Sequence, residues 1–124
     1  MIQIDFNVNA IEDHLNNFSE KAKTSVIRVG SQAAAQVFYD EAKSRVPAKS
    51  GTLRDSIYQV FSQDNSSASK VTYHVSWNRS KAPHGHLIEF GTSRAPAHPF
   101  LRPAYEAMKK QAYEAAIDKM KERL

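Results

Sequence analysis

Apolar and polar residues alternate at the start of the chain, with Ile2, Ile4 and Phe6 set against Gln3, Asp5 and Asn7. A period of two predicts a short strand there. The period then changes. Ile11, Leu15, Phe18, Ala22, Val26, Val29, Ala33 and Val37 recur every three or four residues, which predicts one face of a long helix. Phe38, Ala42 and Val46 widen its apolar surface. Asn9, three residues before Glu12, has the arrangement of a capping box at the helix start. Pro47 breaks the hydrogen-bond pattern and disfavours helical geometry at Val46, so the helix is predicted to stop near Arg45. Gly30, near its middle, marks a bend or a close helix contact.

In PAKSGTLRDSI (47–57), Pro47 and Gly51 bracket a turn. Thr52 is a candidate cap for a short helical turn, with Asp55 near its positive end. IYQVFS (57–62) reads as a strand. KVTYHVSWN (70–78) has the cleanest alternation, placing Val71, Tyr73, Val75 and Trp77 on one side and Thr72, His74 and Ser76 on the other. The two strands are predicted to form an antiparallel hairpin across the polar loop SQDNSSAS (62–69). RSKAPHGH (79–86) reads as a second loop. Both loops lack apolar anchors and are expected to be mobile until assembly orders at least one of them. LIEFGT (87–92) suits either a strand or a helical turn ended by Gly91. Pro96 and Pro99 keep 93–99 extended or turning. A last helix is predicted from Phe100 or Pro103, with Leu101, Ala104, Tyr105, Met108, Ala112, Ala116, Met120 and Leu124 on its inner face. The expected fold is α+β, a long N-terminal helix and a C-terminal helix packed on a small antiparallel β-sheet, in one domain over 1–124. Only one sheet face is covered in this arrangement, and the sheet edges need protection.

Composition changes this picture little. The chain has 124 residues, 41% hydrophobic and 24% charged, the balance of an ordinary globular domain. It has no cysteine, which excludes disulfides and thiolate metal sites. No apolar run approaches the ~20 residues that cross a bilayer, and MIQIDFNVNAI lacks the layout of a signal peptide. No membrane partner is expected. The formal net charge is +4, with bases dispersed among acids as in KMKER at 119–123. A duplex binder gathers its cations into a stripe, so no specific nucleic-acid binding is expected.

Candidate chemistry is sparse. His84, His86, Glu89 and His98 include zinc-ligand types, but their spacing matches no metal motif. Glu89 stands between Ile88 and Phe90, where a salt bridge or a helix-end contact is favoured over general-base duty. Ser50 and Ser56 lack the strand–Ser–helix elbow of a hydrolase. Gly51 stands alone, without a phosphate loop, and Asp5, Asp40, Asp55 and Asp64 are scattered. No catalytic residue, metal site or cofactor is implied. Arg54, Arg94 and Arg102 lie in or beside constrained turns, where a guanidinium fork suits carboxylates across an interface. The plain alternative for each is a solvated arginine, and for Arg102 a pair with Glu106 in its own helix. Tyr73 and Trp77 are core candidates first and interface anchors if the sheet face is open. A structural, assembling protein accounts for these features. A small metal-dependent nuclease or hydrolase and a nucleic-acid-binding regulatory module are the alternatives.

Three segments together resemble a known family. They are P-x-x-S-G-x-L-R-x-S (47–56), HLIEFGT (86–92) and PFLRPA (99–104). In this order, between two helices, they are similar to the small tail-component family of long-tailed double-stranded DNA bacteriophages, whose members are minor tail, tail-completion or head–tail joining proteins. The similarity covers about residues 10–115. Gly51, Leu53, Arg54 and Ser56 match the first motif, Glu89, Phe90, Gly91 and Thr92 the second, and Pro99, Phe100, Pro103 and Ala104 the third. Ser50 and His86 depart from the threonine and the aromatic residue common there. The resemblance implies a place in the virion neck or tail, contacts with other neck or tail proteins, and a homo-oligomeric ring. It assigns no catalytic residue. The matching positions, with Trp77, Arg94 and Arg102, are therefore structural or interface candidates.

Overall fold

The computed structural model describes residues 2–7, 20–47, 51–63, 66 and 70–123. In chain order it contains β1 (Ile2–Asn7), α1 (Glu20–Arg45), α2 (Gly51–Ser56), β2 (Ile57–Phe61), β3 (Lys70–Trp77), α3 (Gly85–Phe90) and α4 (Leu101–Glu122). The α+β architecture is the one expected, with both long helices beside a three-stranded antiparallel sheet of order β1-β3-β2. The Asn9–Glu12 cap, Ile11, Leu15, Phe18 and Leu124 lie outside the described residues, as does the side chain of Ala22.

The strand with the strictest alternation became the central one. Ile57 pairs with Trp77 and Phe61 with Tyr73 on one side of β3, and Ile2 pairs with Val75 and Ile4 with Tyr73 on the other. These residues share one face of the sheet, because side chains alternate along a strand. That face meets α1. Gln59 of β2 donates to Gln36 and accepts from Gln32, both on α1, and Arg28 of α1 lies 4.1 Å from the centre of the Phe61 ring. The opposite face is polar. Thr72 donates to Asp5 across the β1–β3 pair, and Tyr58 and Val60 are exposed there. Thr72 and Ser76 are nonetheless buried, since a central strand is flanked on both sides by its neighbours' side chains.

Helix α1 ends at Arg45 as Pro47 requires, but its buried stripe differs from the expected one. Val29, Ala33 and Val37 are only partly buried. Val26 of that stripe is buried, and the other enclosed residues are Ile27, Ser31, Ala34, Ala35, Phe38 and Ala42. The reason is that α1 packs on the sheet and on α4 together, so it buries two adjoining stripes, and its small residues lie where neighbours approach closest. Gly30 belongs to that approach. A Cβ there would stand 2.6 Å from Cγ of Met120 on α4, so the close helix contact is the realised alternative. Ser31 returns its hydroxyl to the Ile27 carbonyl at 2.9 Å, which makes its burial tolerable.

Of the two readings of LIEFGT, the helical turn ended by Gly91 is the one realised. Three smaller expectations are corrected. Thr52 is the second residue of α2 rather than its cap. The segment 79–86 is no anchorless loop: Asn78 accepts the N–H groups of Lys81 and Ala82 on its carbonyl and that of Ser80 on its side chain, and Ala82 is buried. Tyr105 is 42% exposed rather than internal, although its ring stacks on Phe38 at 5.6 Å.

Candidate functional site

The residues of the second and third motifs converge where α3 meets the start of α4. This junction presents a problem of backbone chemistry. A helix leaves the N–H groups of its N-cap and first three residues without intrahelical acceptors. At α4 the N-cap is Phe100, which has no side-chain acceptor. Glu89, eleven residues earlier and 5% exposed, supplies both carboxylate oxygens. Oε2 accepts from the N–H of Phe100 at 2.7 Å and of Leu101 at 3.1 Å, and Oε1 from that of Arg102 at 3.0 Å. The next residue is Pro103, which has no N–H. All four positions are thereby accounted for. A carboxylate at the positive end of a 22-residue helix is also favoured by the helix dipole. The helix-end contact expected of Glu89 is the one observed.

The chain between them is folded to bring Glu89 and Phe100 together. Gly91 has φ 78° and ψ 177°, a region essentially reserved for glycine, and a Cβ there would come 2.7 Å from the backbone N of Ala97. The hydroxyl of Thr92 accepts from the N–H groups of Arg94 and Ala95 at 3.2 and 3.0 Å, and its own N–H donates to the Ala95 carbonyl at 2.9 Å. The N–H of His98 donates to the Ile88 carbonyl at 2.8 Å, closing the loop onto α3. Pro99 is half-buried. Phe100 is fully buried and meets Trp77 edge-on at 5.6 Å, so the clamp is seated on the end of β3. Ala104 is buried one turn on.

The first motif forms a separate joint. Leu53 is fully buried. Arg54 donates to the Val46 carbonyl just past the end of α1, at 3.2 Å. Ser56 donates to the Leu53 carbonyl at 2.7 Å and accepts from the N–H of Asn78 at 2.8 Å, linking α2 to the end of β3. Gly51 is exposed and opens α2, with open space around its α-carbon.

The exposed parts of the junction have a different character. Phe90 is 72% exposed and Leu87 44%. Arg94 and Arg102 are exposed, and Glu106, the alternative partner considered for Arg102, lies 3.7 Å from Lys109. Phe90, Leu101, Arg102, Tyr105 and Ile2 line a groove with Glu89. Tyr73 and Trp77 are core residues. Among the described residues, no group of three His, Asp or Glu side chains could hold a metal ion. His84, His86 and His98 are exposed, and the Glu89 oxygens are engaged by backbone. No helix among the described residues is long and apolar enough to cross a membrane. Sequence reasoning missed the pairing of Glu89 with three N–H groups and the part played by Pro103. The available signal was a helix start without Ser, Thr, Asp or Asn, which must find its acceptor elsewhere.

The protein is thus α+β, with its long helices joined to a small sheet by backbone clamps and with Phe90, Arg94 and Arg102 left outside them. Residues 9–91 match the family described as "Bacteriophage HK97-gp10, putative tail-component". The chain belongs to this family of bacteriophage tail components. The match includes the first motif and the second through Gly91, and stops before Thr92 and the third motif. No curated protein matches the chain, and no solved structure does.

Proposed function

We propose that this protein is a structural part of the phage neck or tail, which completes the tail or joins it to the head through protein–protein contacts. Membership of the tail-component family carries this reading. On it, the protein resides in the virion after assembly in the host cytoplasm and contributes to a ring of like subunits. Closed rings repeat one heterologous contact around an axis, which asks for two different surfaces on each subunit. Leu53, Arg54, Ser56, Trp77, Glu89, Gly91, Thr92, Pro99, Phe100, Pro103 and Ala104 hold the subunit in shape. Phe90, Arg94 and Arg102 are its contact residues. Aromatic and arginine side chains are the usual anchors of such contacts.

Deletion of the gene from its phage is expected to leave heads and tails that do not join productively, visible by electron microscopy. Normal particles at normal titre would refute the reading. Stoichiometric zinc or manganese in the purified protein would favour a metal-dependent enzyme instead.

A further inference from the structure

The outer edge of β2 carries backbone groups that the described residues do not pair. Ser62 donates its N–H to the Thr72 carbonyl and Asn78 donates to the Ser56 carbonyl, both at 2.8 Å. Ser56 and Ser62 therefore turn their backbone groups towards β3. Bonding direction alternates along an antiparallel strand, so Tyr58 and Val60 do the same, and Ile57, Gln59 and Phe61 turn theirs outward. β2 pairs with β3 alone, and no backbone group of a described residue takes up those of Ile57, Gln59 and Phe61 on the outer side.

Charges, prolines and bulges are the features that keep an edge strand from pairing. The sequence IYQVF contains no charge and no proline, and its register with β3 runs without a bulge. The side chains on its outer face are apolar and stand in solvent, Tyr58 at 38% and Val60 at 47% exposed. β1, the other edge of the sheet, differs, because it exposes Gln3 and Asp5. Two unmatched charges flank β2. Arg28 is exposed over the Phe61 ring at one end, and exposed Asp55 precedes Ile57 by two residues at the other. The ion pairs of the described residues involve Arg45, Lys109 and Lys119 and neither of these two.

We propose that two copies of the chain pair through β2, antiparallel, with a two-fold axis at Gln59. In this register Gln59 meets Gln59 of the second copy and Ile57 meets Phe61, so every outward backbone group finds a partner. Tyr58 falls opposite Val60 of the second copy, and Val60 opposite its Tyr58, at the closely spaced positions between hydrogen-bonded pairs. An aromatic and a β-branched side chain suit each other there. Charge selects the same occupant and the same direction. With Phe61 opposite Ile57, Arg28 of each copy stands at the strand start of the other, where Asp55 lies. Pairing of β2 with β1 would instead set Tyr58 and Val60 beside Gln3 and Asp5. The helices leave room, because α1 lies chiefly over β3. Strands about 4.8 Å apart then hold the two α1 helices about 14 Å apart, beyond the roughly 8–10 Å of packed helices. An isologous contact closes at two copies and leaves Phe90, Arg94 and Arg102 outside it. The pair is a form of the free chain, and the inference does not depend on the place in the virion proposed above.

The test is sedimentation velocity of the full chain over a concentration series at physiological ionic strength. A reversible equilibrium between monomer and dimer is expected. Val60→Lys, Arg28→Asp and Asp55→Arg should each raise the dimer dissociation constant about tenfold or more, with the thermal melt of the dilute monomer unchanged. Arg28→Asp and Asp55→Arg combined should restore pairing. The register is read by cross-linking, since the chain has no cysteine of its own. Gln59→Cys places two α-carbons about 5.5 Å apart across the axis, within disulfide range, and should give a covalent dimer on mild oxidation. Lys110→Cys, on an exposed position of α4, should not. A chain that stays monomeric at every concentration would overturn the proposal. So would self-association that Val60→Lys leaves intact, a charge swap that fails to restore pairing, or cross-linking of Gln59→Cys no faster than that of Lys110→Cys.

Discussion

Glu89 shows how one side chain can decide the placement of a helix. Its two oxygens take three N–H groups that would otherwise be buried or partly buried without acceptors, and hydrogen bonds to a charged group are individually stronger than neutral ones. Glu89→Gln preserves the shape but turns an amide nitrogen towards donors. It is expected to lower stability by about 1–3 kcal/mol, read as a lower denaturation midpoint at unchanged slope. A stability within error of wild type would mean that solvent replaces the cap. Gly91 supports the same clamp through its backbone. Gly91→Ala should cost about 1–3 kcal/mol, because the left-handed φ and the close approach of Ala97 both oppose a Cβ. A variant as stable as wild type in the same titration would show that the turn relaxes freely.

At the scale of elements, α1 packs more extensively on α4 than on any other described element, and Gly30 faces Met120 across that contact. Gly30→Ala should therefore respond to what stands opposite. In the wild type it forces Met120 aside, at an overpacking cost of about 1–3 kcal/mol that exceeds the ~1 kcal/mol gained in helix propensity. In a Met120→Ala background, itself destabilised by about 2–5 kcal/mol, the clash is gone and Gly30→Ala should stabilise. Urea denaturation of the four proteins in this cycle checks the change of sign. Stabilisation in both backgrounds would show that Met120 yields without cost. The sheet follows a simpler rule. β2 is a five-residue edge strand, and a short edge gives little template for pairing out of register.

For the whole molecule, buried and exposed residues of one short motif carry opposite expectations. Phe100 lies at the meeting of α4 with Trp77 on β3, so Phe100→Ala should destabilise the fold by about 3–5 kcal/mol. Arg102, two residues on, touches solvent and the groove. Arg102→Ala should leave the thermal melt close to that of wild type and weaken assembly with neck or tail partners. Melting and sedimentation velocity on both variants separate the two effects. Unchanged assembly of Arg102→Ala, where the wild type assembles, would remove this residue from the interface.

The sequence by itself determined the elements whose signals are local. The alternation of Val71, Tyr73, Val75 and Trp77, the stop imposed by Pro47, and the spacing from Leu101 to Met120 are set by neighbouring residues along the chain, so strand, helix end and helix could be read directly. The order of three motifs was likewise enough to point to the tail-component family. Tertiary structure decided what depends on distant partners. Residues Ala34 and Ala35 are buried because two layers close on α1, which no single-stripe periodicity records. Phe90 is exposed while its neighbour Glu89 is enclosed, because Glu89 is claimed by backbone donors eleven to thirteen residues away. Pro103 completes that cap by lacking a donor, a role that becomes visible only when the carboxylate stands in front of the helix end. Hydrophobic periodicity reports which residues leave water; the pairing of polar backbone groups across the fold decides how the elements are held against one another.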